Sequence, residues 1–213
     1  MKRYAIIVAG GSGTRMKSEM PKQFLRLHKE PIIIHTIRQF IKADEAISIV
    51  VVLPEKHLGY WREMVKDYPF TSSIKVAAGG TSRTQSVRSG LKMITGDGLV
   101  AIHDAVRPFI SPGIIIKSFE SAAKRGSGVA AVSLKDSIRE VVNDERSIAR
   151  DRNSYVLVQT PQTFQVAKIK QSYEIVRGDF TDDATVFEQA DNDVFLVEGS
   201  YANIKITTPE DLK

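Results

Sequence analysis

Short apolar runs alternate with amphipathic stretches along most of the chain. Five runs of strand length are rich in β-branched residues, which is typical of strands buried on both faces of a sheet. They cover residues 4–9, 47–53, 74–78, 99–103 and 129–134. Apolar positions at helical spacing predict helices over 31–41, 55–66, 82–94 and 112–125. This βα alternation predicts a doubly wound α/β fold with a mostly parallel sheet, in which ligands bind beyond the carboxyl ends of the strands.

The alternation of predicted strands and helices is interrupted over residues 136–158. There, apolar and polar positions alternate on either side of a turn-like Asn143-Asp144. This pattern predicts a β-hairpin. The strand edges of a protruding hairpin are usually covered by another element, most often by a twofold-related copy of the chain. We therefore expect one domain over 1–213 with 136–158 as a dimerisation arm of a homodimer. The alternative is a hairpin that folds back on its own domain.

Length, cysteine content and charge narrow the class of protein. The 213-residue chain suits one α/β domain, and it has no cysteine for a disulfide or a thiolate site. No targeting or membrane-spanning segment is visible, so we expect a cytoplasmic protein without a membrane partner. The net charge of +5 could serve nucleic acid or a small anion. Because the candidate cations stand singly at loops and strand ends, we expect a phosphate-rich pocket and no nucleic-acid partner.

A glycine-rich segment directly follows the first predicted strand. Glycines let backbone N–H groups approach an anion closely, and nearby cations can grip the same phosphates. A P-loop is excluded because no Gly-Lys-Ser/Thr string occurs, and a dinucleotide fingerprint is excluded because Met16 stands where its third glycine would be. The segment therefore predicts a triphosphate cradle, with a plain glycine turn as the alternative. Its residues are Gly10, Gly11, Gly13, Arg15 and, slightly further on, Lys22.

A second glycine pair, Gly79-Gly80, leads into a predicted helix with Ser and Thr residues at its start. Small residues there allow a flat base to lie against the backbone, and the Ser86 hydroxyl could hydrogen bond the edge of the base. We assign this segment to base recognition. An ordinary strand-to-helix turn is the alternative.

Asp104 stands at the end of a buried strand, in the sequence His-Asp-Ala-Val-Arg-Pro-Phe over 103–109. A lone carboxylate in this place can hold a Mg²⁺ that is bound mainly through substrate phosphates. Arg107 can then bind a phosphate with its planar guanidinium. His103 is interpreted as a hydrogen-bonded strand-end residue and is not counted as catalytic. For Asp104 the alternative is a capping role in the next turn.

These motifs resemble the 2-C-methyl-D-erythritol 4-phosphate cytidylyltransferase family. Gln-Thr-Pro-Gln at 159–162, Thr-Asp-Asp-Ala at 181–184 and Asn-Ile-Lys-Ile-Thr at 203–207 extend the resemblance over almost the whole chain. It implies a Rossmann-like nucleotidyltransferase fold, a cytoplasmic homodimer with an interlocking arm, and Mg²⁺ or another hard divalent cation. It also implies transfer of CMP from CTP to 2-C-methyl-D-erythritol 4-phosphate, giving 4-diphosphocytidyl-2-C-methyl-D-erythritol and pyrophosphate in non-mevalonate isoprenoid biosynthesis.

The resemblance further implies a role for each matching residue. The expected catalytic cations, which stabilise charge at the α-phosphorus, are Arg15, Lys22 and Lys205. Contacts to CTP are expected from Ala9, Gly10, Gly11, Gly13, Gly80, Arg83 and Ser86. Contacts to the sugar-alcohol phosphate are expected from Asp104, Ala105, Arg107, Arg152, Thr160 and Thr181. Asp104 is also the expected metal ligand, and Arg152 and Thr160 are expected to reach across from the partner's arm.

Three other functions compete with this one. A ribitol or ribulose 5-phosphate cytidylyltransferase would share the CTP loop and the 103–109 and 159–162 motifs, but the sequences at 86–91 and 181–184 favour methylerythritol phosphate. A nucleotidyltransferase for another sugar phosphate and another base is a broader alternative. A nucleic-acid-binding module on a borrowed fold is supported only by the basic charge.

Overall fold

A seven-stranded sheet forms the centre of the protein in the computed structural model, which describes residues 1–9 and 20–212. Its strands are β1 (Arg3–Val8), β4 (Ser48–Leu53), β5 (Lys75–Ala78), β6 (Leu99–Asp104), β7 (Ser127–Ser133), β10 (Val156–Gln165) and β11 (Leu196–Glu198). They lie in the order β11-β7-β10-β6-β1-β4-β5. Only β10 runs antiparallel to its neighbours β6 and β7. A two-residue pair, β2 (Arg26–Leu27) and β3 (Glu30–Pro31), lies outside this sheet.

Helices cover both faces of the sheet. They are α1 (Ile32–Ala43), α2 (Leu58–Met64), α3 (Arg83–Lys92), α4 (Pro112–Arg125), α5 (Val166–Ile175) and α6 (Asp183–Glu188). Successive residues of β1 point to opposite faces, so Ile7 joins a core with α1, α2 and α4, while Ile6 joins a core with α3, α5 and α6. Among the described helices, none has the length and apolarity that a membrane crossing requires.

The predicted doubly wound α/β fold is confirmed. All five predicted strands and all four predicted helices are present, with ends shifted by a few residues. Both ends of α4 could be predicted because they carry capping residues. The Ser111 hydroxyl accepts a hydrogen bond from the Ile114 N–H, Pro112 occupies the first turn, and Gly126 ends the helix with a φ of +100°. One detail was wrong, because β5 is an edge strand with partly exposed residues and is not buried on both faces.

The predicted hairpin exists and is shorter than expected. It consists of β8 (Ile138–Asn143) and β9 (Arg146–Arg150), which pair only with each other. Residues 156–158, at the end of the predicted arm, instead begin β10 and pair with β7 in the central sheet. The hairpin is largely exposed, and Val141 has 75% of its surface accessible. Its role in dimerisation stays a prediction.

Candidate functional site

The carboxyl ends of four parallel strands meet at one edge of the sheet. Val8 of β1 pairs with Asp104 of β6, and Leu53 of β4 pairs with Ala78 of β5. From β1 the chain proceeds to β4 and β5 on one side and then returns to β6 on the other. This topological switch point beside β1 is where doubly wound sheets bind their ligands.

The residue that precedes the glycine-rich segment in the sequence lies at this switch point. Ala9 continues β1 and its N–H donates to the Val52 carbonyl at 2.9 Å, so this N–H is not available to a nucleotide. The predicted phosphate contacts of Gly10, Gly11, Gly13 and Arg15 lie outside the described residues. Lys22, the last residue of the predicted cradle, lies in a 3-10 turn over Lys22–Phe24.

Asp104 is the centre of a buried charge cluster. Its Oδ2 lies 2.9 Å from Nζ of Lys205 and 3.4 Å from Nε of Arg107, and its Oδ1 lies 3.7 Å from Nε of Arg83. Burial alone would raise the pKa of the Asp104 carboxyl, but the cations of Lys205, Arg83 and Arg107 together hold that pKa well below its usual range. Asp104 is therefore ionised at neutral pH, and three predicted site residues converge on it.

Arg83 connects Asp104 to a second buried carboxylate. Its Nη2 lies 2.6 Å from Oδ2 of Asp183, whose side chain has no exposed surface. The Tyr173 hydroxyl donates to Oδ1 of the same carboxylate at 2.5 Å. Burial alone would lower the pKa of Arg83, but Asp183 and then Asp104 raise it above its ordinary value. Neither Asp183 nor Tyr173 was identified from the sequence, although Asp183 lies within the Thr-Asp-Asp-Ala motif.

Thr160 lies beside Asp104 of its own chain. Its hydroxyl oxygen accepts a hydrogen bond from the Asp104 N–H at 3.1 Å and lies 3.0 Å from Nδ1 of His103. The expectation that Thr160 reaches across from a partner's arm was therefore wrong. The reason is that β10 begins before Thr160 and places this residue next to the end of β6, in the central sheet.

Lys205 owes its position to an extended segment beside the Asp104 turn. The Asn203 carbonyl accepts a hydrogen bond from Nη1 of Arg107 at 2.7 Å, and the Ile206 N–H donates to the Val106 carbonyl at 2.9 Å. The Asn203 side-chain amide also donates to the Thr160 carbonyl at 2.8 Å. Because Asn203 and Ile206 are held in this way on either side of Lys205, the ammonium group of Lys205 meets Asp104.

The second glycine pair packs closely against the start of α3. A Cβ on Gly79 would lie 2.7 Å from Oγ of Ser86, and a Cβ on Gly80 would lie 2.3 Å from Cβ of Gln85. Only glycine allows these approaches. Ser86 itself is fully buried and its hydroxyl donates to the Ser82 carbonyl at 2.9 Å. A contact of Ser86 with a base stays a prediction.

Three other predicted residues lie apart from the Asp104 charge cluster or are engaged elsewhere. The Ala105 N–H donates to the Val8 carbonyl at 2.9 Å, and its carbonyl accepts from the Thr36 hydroxyl at 2.8 Å. Thr181 is exposed in the loop before α6. The exposed Arg152 donates to the Lys135 carbonyl, and no contact recorded within 1–9 and 20–212 joins it to Asp104.

Asp104 is the carboxylate that a divalent cation could use at this edge. The part of the chain that the structure describes contains no group of three His, Cys, Asp or Glu side chains able to hold a metal. Both oxygens of Asp104 face cations, and Lys205, at 39% exposure, is the most accessible of the three. These residues fit a Mg²⁺ that takes most of its ligands from phosphates and water, and they do not fit one held by protein alone.

Comparisons with known proteins agree on one family. Residues 4–213 match the family described as 2-C-methyl-D-erythritol 4-phosphate cytidylyltransferase. A relative with that name from Bacteroides fragilis is 42% identical over 214 residues, covering all of this chain and 97% of the relative. Another from Porphyromonas gingivalis is 43% identical over 213 residues, covering 99% of this chain and 95% of the relative.

Solved structures agree with the sequence relatives. The 4-diphosphocytidyl-2C-methyl-D-erythritol synthase of Anaerococcus prevotii superposes with a TM-score of 0.85 at 29% identity, covering 99% of this chain and 94% of that one. The 2-C-methyl-D-erythritol 4-phosphate cytidylyltransferase of Francisella tularensis superposes with a TM-score of 0.81 at 28% identity, covering all of this chain and 97% of that one.

Proposed function

Because this chain belongs to the 2-C-methyl-D-erythritol 4-phosphate cytidylyltransferase family, we propose that it transfers CMP from CTP to 2-C-methyl-D-erythritol 4-phosphate in isoprenoid biosynthesis. The observation that carries the proposal is the cluster of Lys205, Arg107 and Arg83 around Asp104 at the switch point. Such a cluster offers several cations to phosphates and one anion to a metal or a substrate hydroxyl.

The reaction needs charge stabilisation more than proton transfer. A phosphate oxygen of the acceptor attacks the α-phosphorus of CTP in line, and the bond from that phosphorus to the bridging oxygen breaks as pyrophosphate leaves. The attacking phosphate is already an anion, so no general base is required. The predicted cations Arg15, Lys22 and Lys205 would stabilise the charge that develops on the oxygens around the α-phosphorus.

Asp104 sets the position of the cations on the acceptor side. It holds Lys205 and Arg107 at 2.9 and 3.4 Å, and since its pKa is well below the usual range it does so throughout the neutral pH range. Preorganised charges of this kind need little rearrangement during the reaction. Arg107 and the exposed Thr181 would contact the sugar-alcohol phosphate, and Arg152 would act on the site of a second copy.

A divalent cation completes the proposal. Asp104 would hold Mg²⁺ together with phosphate oxygens of CTP, and the cation would neutralise charge on the departing pyrophosphate. The lone carboxylate described above supports this arrangement. Removal of the cation with a chelator is expected to abolish pyrophosphate release, and an excess of Mg²⁺ is expected to restore it.

The proposed assembly is a homodimer. Support comes from exposed apolar side chains on and beside the hairpin, including Val141, Tyr155 and Leu157, of which Leu157 is 54% exposed. Light scattering after gel filtration is expected to give twice the mass of the chain, and Val141→Asp is expected to shift it towards the monomer. A monomeric wild-type protein would contradict the proposal.

The use of CTP, a cytoplasmic metabolite, supports a cytoplasmic location.

Pyrophosphate release measures the proposed reaction directly. The protein is incubated with CTP, Mg²⁺ and one acceptor: 2-C-methyl-D-erythritol 4-phosphate, ribitol 5-phosphate or ribulose 5-phosphate. Fast release is expected with the first acceptor alone and with CTP in preference to UTP. Lys205→Ala is expected to reduce kcat by about 100-fold or more. The matched control is Lys124→Ala, an exposed cation at the far end of α4. Release only with a pentose or pentitol phosphate would overturn the acceptor.

A further inference from the structure

A buried histidine lies directly behind the Asp104 charge cluster. His103 precedes Asp104 on β6 and has no exposed surface, so it cannot touch a substrate. Its Nε2 lies 3.2 Å from the Arg107 carbonyl, and its Nδ1 lies 3.0 Å from the Thr160 hydroxyl. The imidazole therefore contacts both the turn that carries Arg107 and the strand that carries Thr160.

These partners determine where the proton of the ring resides. A carbonyl only accepts hydrogen bonds, so Nε2 of His103 must be the protonated nitrogen that donates to Arg107. Nδ1 of the ring faces the Thr160 hydroxyl, so the imidazole links the Arg107 carbonyl to β10.

The Thr160 hydroxyl extends this link to the start of the turn. Its oxygen lies 3.0 Å from Nδ1 of His103 and accepts a hydrogen bond from the Asp104 N–H at 3.1 Å. One hydroxyl on β10 therefore contacts both the imidazole and the backbone of Asp104.

We infer that His103 and Thr160 are positioning residues that fix the Asp104–Arg107 turn. This inference rests on the proposed function. The chain of hydrogen bonds holds both ends of the turn: Thr160 holds the Asp104 N–H, and His103 holds the Arg107 carbonyl. Both functional side chains project from this turn, so a shift of its backbone would displace carboxylate and guanidinium together.

Four variants separate positioning from packing. Thr160→Val removes the hydroxyl and keeps the shape. His103→Leu keeps an apolar contact with the Phe40 ring, whose centroid lies 5.0 Å away, and removes both hydrogen bonds. His103→Asn places an acceptor near the position of Nδ1. Thr163→Val is the matched control, because it removes a buried hydroxyl of the same strand that pairs with Ser118 at 2.8 Å.

Pyrophosphate assays give the first readout. Thr160→Val and His103→Leu are expected to lower kcat/KM for the acceptor by about 10- to 100-fold, since small misplacements of a site carry losses of this size. His103→Asn is expected to recover much of the loss, and Thr163→Val to keep wild-type kinetics despite a similar loss of stability. The double variant Thr160→Val/His103→Leu is expected to be no worse than the poorer single variant. Losses that multiply would show that the two side chains act independently and would overturn the inference.

Long-range ¹H–¹⁵N spectra of the histidines give a readout that does not depend on activity. Wild-type protein is expected to show His103 protonated on Nε2, and Thr160→Val is expected to shift the Nδ1 resonance. Protonation on Nδ1 would refute the hydrogen-bond chain. If the wild-type protein released no pyrophosphate, the proposed function would fail, while the spectra would still decide whether the chain exists.

Discussion

Asp183→Asn is the substitution for which the structure gives the clearest expected cost. The Asp183 carboxylate has no exposed surface and receives Arg83 at 2.6 Å and the Tyr173 hydroxyl at 2.5 Å. Asparagine preserves the shape and one acceptor but removes the charge. Arg83 would then keep only Asp104, whose nearest oxygen lies 3.7 Å away. Breaking a buried ion pair from one side costs about 3–5 kcal/mol, and because Arg83 is 20% exposed the lower end of that range applies.

A loss of about 3 kcal/mol corresponds to a fall in Tm of about 6–12 °C for a chain of this size. Urea unfolding and calorimetry of both proteins measure the difference. Asp182→Asn is the matched control, since Asp182 caps α6 by accepting the Thr185 N–H at 2.8 Å and asparagine caps a helix about as well. The control is expected to change stability by less than about 0.5 kcal/mol. Equal effects of the two substitutions would refute the assignment of Asp183 as a buried partner of Arg83.

Two further predictions concern pH and the nucleotide side of the site. His103 binds a proton at a pKa of about 6.5 when unfolded and about 4 when folded, so the unfolded state gains protons first and stability falls as the pH drops from about 6.5 to 4. His103 is expected to lower the free energy of unfolding by about 2 kcal/mol between pH 7 and pH 5. His103→Asn is expected to remove this contribution, and an unchanged pH dependence in the variant would contradict the role of His103. Gly80→Ala would bring a Cβ to 2.3 Å from Gln85 and is expected to raise KM for CTP several-fold, whereas Gly59→Ala, with open space around it, leaves KM unchanged. Equal KM values in both variants would argue against a nucleotide contact at the start of α3.

The sequence predicted best the elements whose residues are mainly apolar. Strands β1, β4, β6 and β7 contain apolar runs, and the helices between them have one apolar face. The spacing of the apolar residues and the residue types therefore indicate the same kind of element. The cap Ser111 and the terminating Gly126 likewise marked α4 at both ends. In these elements local preference and tertiary burial favour the same structure.

Strand β10 was harder to predict because its buried residues are mostly polar. Strand β10 contains Gln159, Thr160, Gln162 and Thr163, which are all buried although none is apolar. Gln162 shows why this is possible: its Oε1 accepts the N–H groups of both Asp183 and Ala184 at 2.8 Å. Hydrogen bonds that form only in the folded chain replace those to water, so no hydrophobic period marks the strand.

The same feature explains which parts of the site were predicted and which were not. Asp104, Arg107 and Lys205 were found because charged residues at strand ends are uncommon and belong to recognisable motifs. His103 was correctly interpreted as a hydrogen-bonded strand-end residue. Asp183 and the location of Thr160 were missed because their roles depend on partners distant in sequence: Thr160 meets Asp104 across 56 positions, and Arg83 meets Asp183 across 100. A motif identifies which side chains face the ligand, while the groups that hold those side chains become visible only when the sheet brings the strands together.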